Sequence, residues 1–307
     1  MKLFPKTKTD SGADRLRSLL EEDQILEVPG CFDALSARIV ERAGFSASFL
    51  GGFSVAASRL GLPDVGLLSY GEMIDQARQV CAATSLPIIG DADTGYGNSI
   101  NAQRTMLGCA QAGLSCLMIE DQCWPKRCGH TEGKEVVGRE EAVRRVKACV
   151  RAREEFGIDL LIMARTDANA TSGMDEALWR AAAFADAGAD MTFLEAPVDT
   201  NEMERYCQRV PGWKVVNLVE DGRTPWLELH QLAEMGFSLA LYPVSLLLHS
   251  ISAMQSAVEG IRHPGSRATS RVSFDEARSL VGWPDYEKRV VRLEAENVNG
   301  DKQGQEN

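Results

Sequence analysis

Residues 86–121 read LPIIGDADTGYGNSINAQRTMLGCAQAGLSCLMIED. Two short apolar runs, 86–91 and 115–120, each end on a carboxylate, Asp91 and Glu120, and residues 98–112 between them have helical spacing. Apolar runs without polar alternation, each followed by a helix, are the signature of buried parallel strands, whose two faces are both covered. The same unit repeats outward in both directions. Upstream, strands are predicted at 24–29 and 46–50, with helices over 33–43 and 69–83. Downstream, strands at 159–165, 191–195, 214–218 and 238–242 alternate with helices over 139–156, 174–187, 201–209, 227–235 and 244–261. Eight such units predict an α/β fold of the closed (β/α)8, TIM-barrel type rather than an open doubly wound sheet. No G-x-G-x-x-G turn follows the first strand, which weakens the dinucleotide-binding alternative.

Two segments lie outside the eight units. Residues 1–22 predict a helix covering the barrel bottom, so that the barrel domain spans 1–262. Residues 263–296 form a helical arm, and 297–307 read as a disordered polar tail.

Of the 307 residues, 44% are hydrophobic and 25% charged, enough apolar material for one substantial core. A net charge of -11 argues against a nucleic-acid partner, and any anion site must be built locally. The cysteines at 31, 81, 109, 116, 123, 128, 149 and 207 form no C-x-x-C pair and no Cys/His zinc spacing. Neither a signal peptide nor a run of about 18 apolar residues is found, so no membrane is expected and a reducing cytoplasmic setting is.

In a barrel of this kind, active-site groups come from the C-terminal ends of the strands and the loops after them. Asp91, Asp93, Glu120, Arg165, Asp167, Glu195 and Asn217 all fall there. Asp91, Asp93 and Glu120 would surround one point with hard oxygen ligands, which suits Mg²⁺, with Mn²⁺ as the alternative. A lone D-x-D is as often a loop or helix-cap feature; the carboxylate ending the adjacent strand favours the metal. The segment 121–138, DQCWPKRCGHTEGKEVVG, is long enough to be a lid. It crowds Lys126, Arg127, Cys128, Gly129 and His130, and two cations beside a thiol are expected to lower its pKa. Gly51 and Gly52 can present backbone N–H groups to a carboxylate. His230, His249 and His263 read as packing or surface residues.

LGLPD at 60–64, GDADTGYG at 90–97, IEDQ at 119–122, KRCGH at 126–130, ARTDA at 164–168 and LEAP at 194–197 resemble the isocitrate lyase/PEP mutase superfamily. The likeness spans roughly residues 12–262 and is greatest to its short lyase branch, the 2-methylisocitrate lyase, 2,3-dimethylmalate lyase and petal death protein types. It implies a Mg²⁺-dependent carbon–carbon lyase acting on a small 2-hydroxy dicarboxylate. It further implies a homotetramer, a dimer of dimers with C-terminal helices exchanged between subunits. Asp93 would hold the metal directly, Asp91 and Glu120 largely through water, with Asp64 outside them. Cys128, Lys126, His130 and Arg165 carry over as catalytic residues, Cys128 as the proton donor and Arg165 as partner of the enolate charge. Gly51, Gly52, Gly129, Arg165, Glu195, Asn217 and Pro243 carry over as substrate contacts.

The chain departs from the methylisocitrate lyase pattern at Phe49 and Gly51, where a tyrosine and a serine are expected. Leu246, Leu247 and Leu248 stand near the position where that pattern has an arginine. An apolar wall disfavours an extra carboxylate, which favours a 2-alkyl- or dimethylmalate over a tricarboxylate. The competing readings are an oxaloacetate decarboxylase or hydrolase, a phosphonomutase, and a non-catalytic binding barrel.

Overall fold

The computed structural model describes residues 11–263 and 271–303. Eight parallel strands close into a barrel: β1 (Leu26–Cys31), β2 (Ser48–Leu50), β3 (Ile88–Asp91), β4 (Cys116–Glu120), β5 (Leu161–Thr166), β6 (Met191–Leu194), β7 (Trp213–Asn217) and β8 (Leu239–Tyr242). Each pairs with the next, and β8 returns to β1 through Leu26↔Leu239 to Pro29↔Tyr242. The helices of this unit are α1 (Gly12–Leu20), α2 (Ala34–Arg42), α3 (Gly52–Val55), α4 (Tyr70–Ala83), α5 (Ser99–Ala112), α6 (Arg139–Phe156), α7 (Ala168–Ser172), α8 (Met174–Asp186), α9 (Thr200–Arg209) and α10 (Leu229–Met235). The eight predicted strand–helix pairs are all present, displaced by no more than the couple of residues by which element ends drift. The short α3 and α7, and a π-helical stretch at Ala56–Leu60, have no counterpart in the prediction.

Local chemistry sets the helix starts. Asp33, Ser69 and Asn98 each cap a helix reciprocally; Ser69 Oγ accepts the Glu72 N–H at 3.3 Å while Glu72 Oε2 accepts the Ser69 N–H at 2.8 Å. Such a cap satisfies donors that the first helical turn leaves open.

The barrel interior is filled by Val28, Phe49, Ile89, Met118, Met163, Phe193, Val215 and Leu241. Ala13, Leu16 and Leu20 of α1 join that cluster, as the predicted covering helix requires. Residues one step along, such as Leu117, Ile119, Ile162 and Ala164, face outward into a second cluster with α4, α5 and α6. Period-two alternation thus separates an inner from an outer core.

The compact barrel unit ends at Ile251, inside α11 (Ser245–Arg262), and not at 262 as predicted, because a continuous helix carries the chain across. The second unit also holds α12 (Phe274–Leu280) and α13 (Trp283–Gln303), where Trp283 Nε1 and Arg278 Nη2 donate to Glu287 Oε1 at 2.9 and 3.2 Å. Helix α13 runs through 297–303, part of the predicted disordered tail; Arg289–Asp285 and Arg292–Glu296 pairs one turn apart support its earlier turns. Residues 1–10, 264–270 and 304–307, which held other parts of those predictions, lie outside the described residues. Among the described residues no helix is long and apolar enough to cross a membrane.

Candidate active site

The inward period of two that builds the apolar core continues upward into polar residues. Above Ile89, Met118, Met163, Phe193 and Val215 stand Asp91, Glu120, Arg165, Glu195 and Asn217, each two residues on, and Gly51 and Pro243 follow Phe49 and Leu241 in the same way. The register sets Glu120 directly beside Arg165 and Asp91 beside Met118. Gly51, Asp91, Arg165, Glu195, Asn217 and Pro243, with Gly52, Asp64, Lys126, Cys128, Gly129 and His130, line a cavity of about 310 Å³ at the C-terminal mouth of the barrel. Asp93 and Glu120 sit just beneath its lining, 3% and 4% exposed.

The carboxylates form a tight group. Asp91 Oδ1 accepts the Asp93 N–H at 2.9 Å, and Asp91 Oδ2 accepts the Gly52 N–H at 2.9 Å. Gly52 therefore gives its amide to Asp91 in this structure. Lys126 Nζ lies 2.6 Å from Asp64 Oδ1 and 2.7 Å from Asp93 Oδ1. Burial pushes Asp93 up to about 7 against the pull of Lys126, with the charges of Asp91 and Asp64 adding to the rise. Burial also drives Glu120 well above the carboxylate range, although Arg165 opposes it.

Among the described residues no three His, Cys, Asp or Glu side chains converge closely enough to hold an ion by themselves. The donor set nonetheless fits a divalent cation of the Mg²⁺ kind, which keeps several waters and takes few carboxylates directly. Glu120 Oε1 is buried with no hydrogen-bond partner, and an unpaired buried carboxylate oxygen is costly. Around the cavity the buried carboxylates are Asp64, Asp91, Asp93, Glu120, Asp167 and Glu195, against the cations Lys126, Lys134 and Arg165. The cluster is short of positive charge.

The segment after β4 is fastened at its base. Cys123 N donates to Glu135 O at 2.8 Å and Val137 N to Asp121 O at 2.9 Å, while the Gln122 side chain grips both backbone groups of Arg127 at 2.8 and 2.9 Å. Its tip is a turn in which Thr131 N and Oγ1 both donate to Cys128 O, at 3.0 and 2.7 Å. The expected depression of the Cys128 pKa is not found. Lys126 is drawn down to the carboxylates and Arg127 Nη1 turns to Glu132 O at 3.4 Å. Burial instead pushes the Cys128 thiol up, opposed by the His130 backbone N–H.

Arg165 anchors the far side. Its Nε and Nη2 donate to Asp167 Oδ2 and Oδ1 at 2.9 and 3.0 Å, and its Nη1 lies 3.1 Å from Glu195 Oε2. His130 Nδ1 accepts the Arg223 N–H at 3.2 Å, so the ring proton is on Nε2, 3.0 Å from Glu195 Oε1. Burial works to raise Glu195, yet Arg165 and His130 hold it well below the usual carboxylate range. Asn217 Nδ2 donates to the same Glu195 Oε1 at 3.3 Å. Pro243 lines the cavity and its carbonyl accepts from Ser54 Oγ at 3.2 Å.

All the sequence-derived site residues gather here. The prediction missed Lys134, whose ammonium is buried, and the 219–222 loop, which lines the cavity and has no distinctive residue pattern. It also left Asp167 without a role, although ARTDA displays it, and passed over Phe53 and Val244 in the lining.

The profile of the phosphoenolpyruvate phosphomutase family matches residues 16–262. The 2,3-dimethylmalate lyase of Eubacterium barkeri is 40% identical over 273 residues, 88% of this chain and 94% of that protein. The chloroplastic carboxyvinyl-carboxyphosphonate phosphorylmutase of Arabidopsis thaliana is 42% identical over 290 residues, 91% of this chain and 85% of that protein. The structure of an oxaloacetate acetylhydrolase bound to 3,3-difluorooxalacetate superposes with a TM-score of 0.86 at 31% identity, covering 94% of this chain and 97% of that one. With the barrel, the carboxylate group and the KRCGH turn in place, the chain belongs to the PEP mutase/isocitrate lyase superfamily.

Proposed function

We propose that this chain is a carbon–carbon lyase that splits a small 2-hydroxy dicarboxylate of the 2-alkylmalate, 2,3-dimethylmalate or 2-methylisocitrate type into an α-keto acid and a carboxylate. The observation that carries this reading is the Cys128 thiol in one cavity with the carboxylate group, on a turn whose Gly129 rests on Arg165 and Glu195; burial pushes the thiol up and so favours its neutral form. Asp91, Asp93 and Glu120 would hold Mg²⁺ or Mn²⁺, with Asp64 outside them, and the ion supplies the Lewis acidity that favours ionisation of the substrate hydroxyl. Cleavage breaks the bond between the carbinol carbon and its neighbour. The carbinol hydroxyl gives its proton to a carboxylate of the lining such as Asp91, its oxygen becomes the keto oxygen, and the bonding pair passes to the other fragment as an enolate-like carboxylate. Arg165, fixed by Asp167, faces that growing charge. Cys128 then gives its proton to the carbon, which a neutral thiol can do and a thiolate cannot. Glu195, ionised, cannot accept a second carboxylate; it orients Arg165, His130 and Asn217 as donors to it.

The substrate class is read from the lining. Phe53, Val244 and Leu248 bring apolar side chains to the lining, and Leu248 belongs to the 246–248 run near which the methylisocitrate lyase pattern has an arginine. This supports an alkyl substituent over a third carboxylate. A Mg²⁺-dependent homotetramer with exchanged C-terminal helices, working in the cytoplasm, completes the proposal. Exposed Met254, Val258 and Ile261 on α11 and Phe274 on α12 support the exchange, and eight cysteines held outside disulfides support the compartment.

The test is keto-acid release from 2-methylisocitrate, 2,3-dimethylmalate, several 2-alkylmalates and oxaloacetate, with and without EDTA. EDTA-sensitive release from one malate supports the lyase. The likeness to the oxaloacetate acetylhydrolase structure favours the second reading, hydrolysis of oxaloacetate; turnover of oxaloacetate alone would establish it and remove Cys128 from its role.

A further inference from the structure

Lys134 follows the KRCGH turn by four residues and belongs to none of the recognised motifs, yet its ammonium is buried, the residue being 8% exposed. A buried ammonium is retained only where acceptors meet it. Two do. Nζ donates to the Gly129 carbonyl at 2.5 Å and to Asp167 Oδ1 at 2.7 Å. The first acceptor is the peptide next to Cys128, in the turn that Thr131 closes. The second is the carboxylate that also receives both donors of Arg165. Asp167 is itself fixed through its N–H to Asp121 Oδ1 at 2.9 Å, and Asp121 is held by Thr166 and Arg180. One carboxylate thus registers the guanidinium, from β5, and the ammonium, from the far limb of the segment that carries the thiol.

Gly129 shows how closely the turn is seated. A Cβ there would lie 2.5 Å from Glu195 Cδ, so the turn backbone rests directly on the Arg165–Glu195 pair. Lys134 itself is not part of the cavity lining, and it meets the cavity only through Gly129.

We propose that Lys134 is a positioning residue: it holds the Gly129–His130 peptide, immediately after Cys128, down on the Arg165–Asp167 pair, so that the proton donor and the anion-facing cation keep a fixed separation. The kinetic part of this proposal rests on the lyase reading; the chemical part does not.

The test compares Lys134→Met and Lys134→Arg with the parent protein, all with Mg²⁺ present. With the malate substrate, Lys134→Met lowers kcat about 10²-fold, the loss that follows roughly 1 Å of misplacement, while KM changes by no more than about threefold. Lys134→Arg, which keeps a cation able to reach both oxygens, recovers at least about tenfold of that loss. Independently of any substrate, iodoacetamide alkylates Cys128, followed by mass spectrometry, several-fold faster in Lys134→Met because the turn is released. Unchanged alkylation in a folded Lys134→Met protein overturns the proposal whatever the substrate proves to be. So does a fall in kcat that Lys134→Arg does nothing to reverse. Faster alkylation in a protein inactive on every malate upholds the positioning and faults the lyase reading alone.

Discussion

Gly129→Ala is the sharpest perturbation of the site, because it adds one methyl and changes no charge. Gly129 does not have the positive φ that would strain alanine, so the effect is confined to space. The new Cβ would meet Arg165 Nη2 and lie 2.5 Å from both Glu195 Cδ and Oε2, where ordinary contacts begin at 3.4 Å. Neither partner is free to swing aside: Arg165 is held by two hydrogen bonds to Asp167, and Glu195 by Arg165, His130 and Asn217. The turn itself must lift by about 1 Å, carrying Cys128 away from the carbon it protonates. A misplacement of that size costs roughly 10²-fold in rate. The assay is keto-acid release under saturating malate, with thermal melting as the control. The expected result is a kcat about 10²-fold lower with the melting temperature nearly unchanged, since the barrel core is untouched. A kcat within about threefold of the parent would refute the claim that the turn is seated on this pair during catalysis.

Cys128→Ser should lower kcat by about 10²–10⁴-fold, the usual worth of a positioned acid, while leaving product binding measurable by calorimetry; unchanged turnover sinks the proton-donor role. In the parent protein, the pH profile of Cys128 alkylation should have its midpoint above the ordinary thiol value of 9.0, because burial favours the neutral form; a midpoint near 7 would contradict this. Leu248→Arg should shift kcat/KM towards 2-methylisocitrate relative to 2,3-dimethylmalate by about tenfold, as one added contact to a third carboxylate allows; an unchanged ratio removes Leu248 from the specificity wall. Hydrogen bonds from Arg139, opposed by burial and reinforced by Arg180, lower Glu176 from 4.5 to about 2. The stability it contributes is therefore fully present above pH 4.5 and is lost as pH falls towards 2. Glu176→Gln should cost ~1 kcal/mol or less in urea unfolding at pH 7, given solvent screening, and only a small part of that at pH 2; an equal cost at both pH values counts against the pairing.

The barrel was legible because each of its strands is a run closed by a change of residue type. In LPIIGD and SCLMIE the apolar residues fill both cores and the terminal carboxylate is the next inward position, so strand and site residue are read together. Asp93, Lys126 and Cys128 were legible as members of motifs. The partners they choose were not, since those depend on contacts far apart in sequence, such as Lys126 with Asp64 or His130 with Arg223. The 219–222 loop enters the cavity only because β7 stands beside β6 and β8, which no local pattern announces. The polar stretch 297–303 was misread for a related reason. Its composition suits solvent, and composition alone does not separate a polar helix from a tail.

The thiol is where sequence logic and structure part most instructively. Proximity in KRCGH suggests that the two cations act on the cysteine that follows them. Burial changes the competition. A cation inside the barrel mouth is drawn to the strongest unpaired anion, and Asp64 and Asp93 offer Lys126 two contacts of 2.6 and 2.7 Å. The thiol, half-buried and without that support, keeps its proton. A depressed pKa would have suited a nucleophile; a raised one suits an acid that must be loaded before the carbanion forms. The same charge shortage that captures Lys126 therefore prepares Cys128. Removing an anion should act on the thiol indirectly: in Asp64→Asn, Lys126 keeps only Asp93 and is freer to rise towards the turn, so Cys128 alkylation at neutral pH should quicken rather than slow.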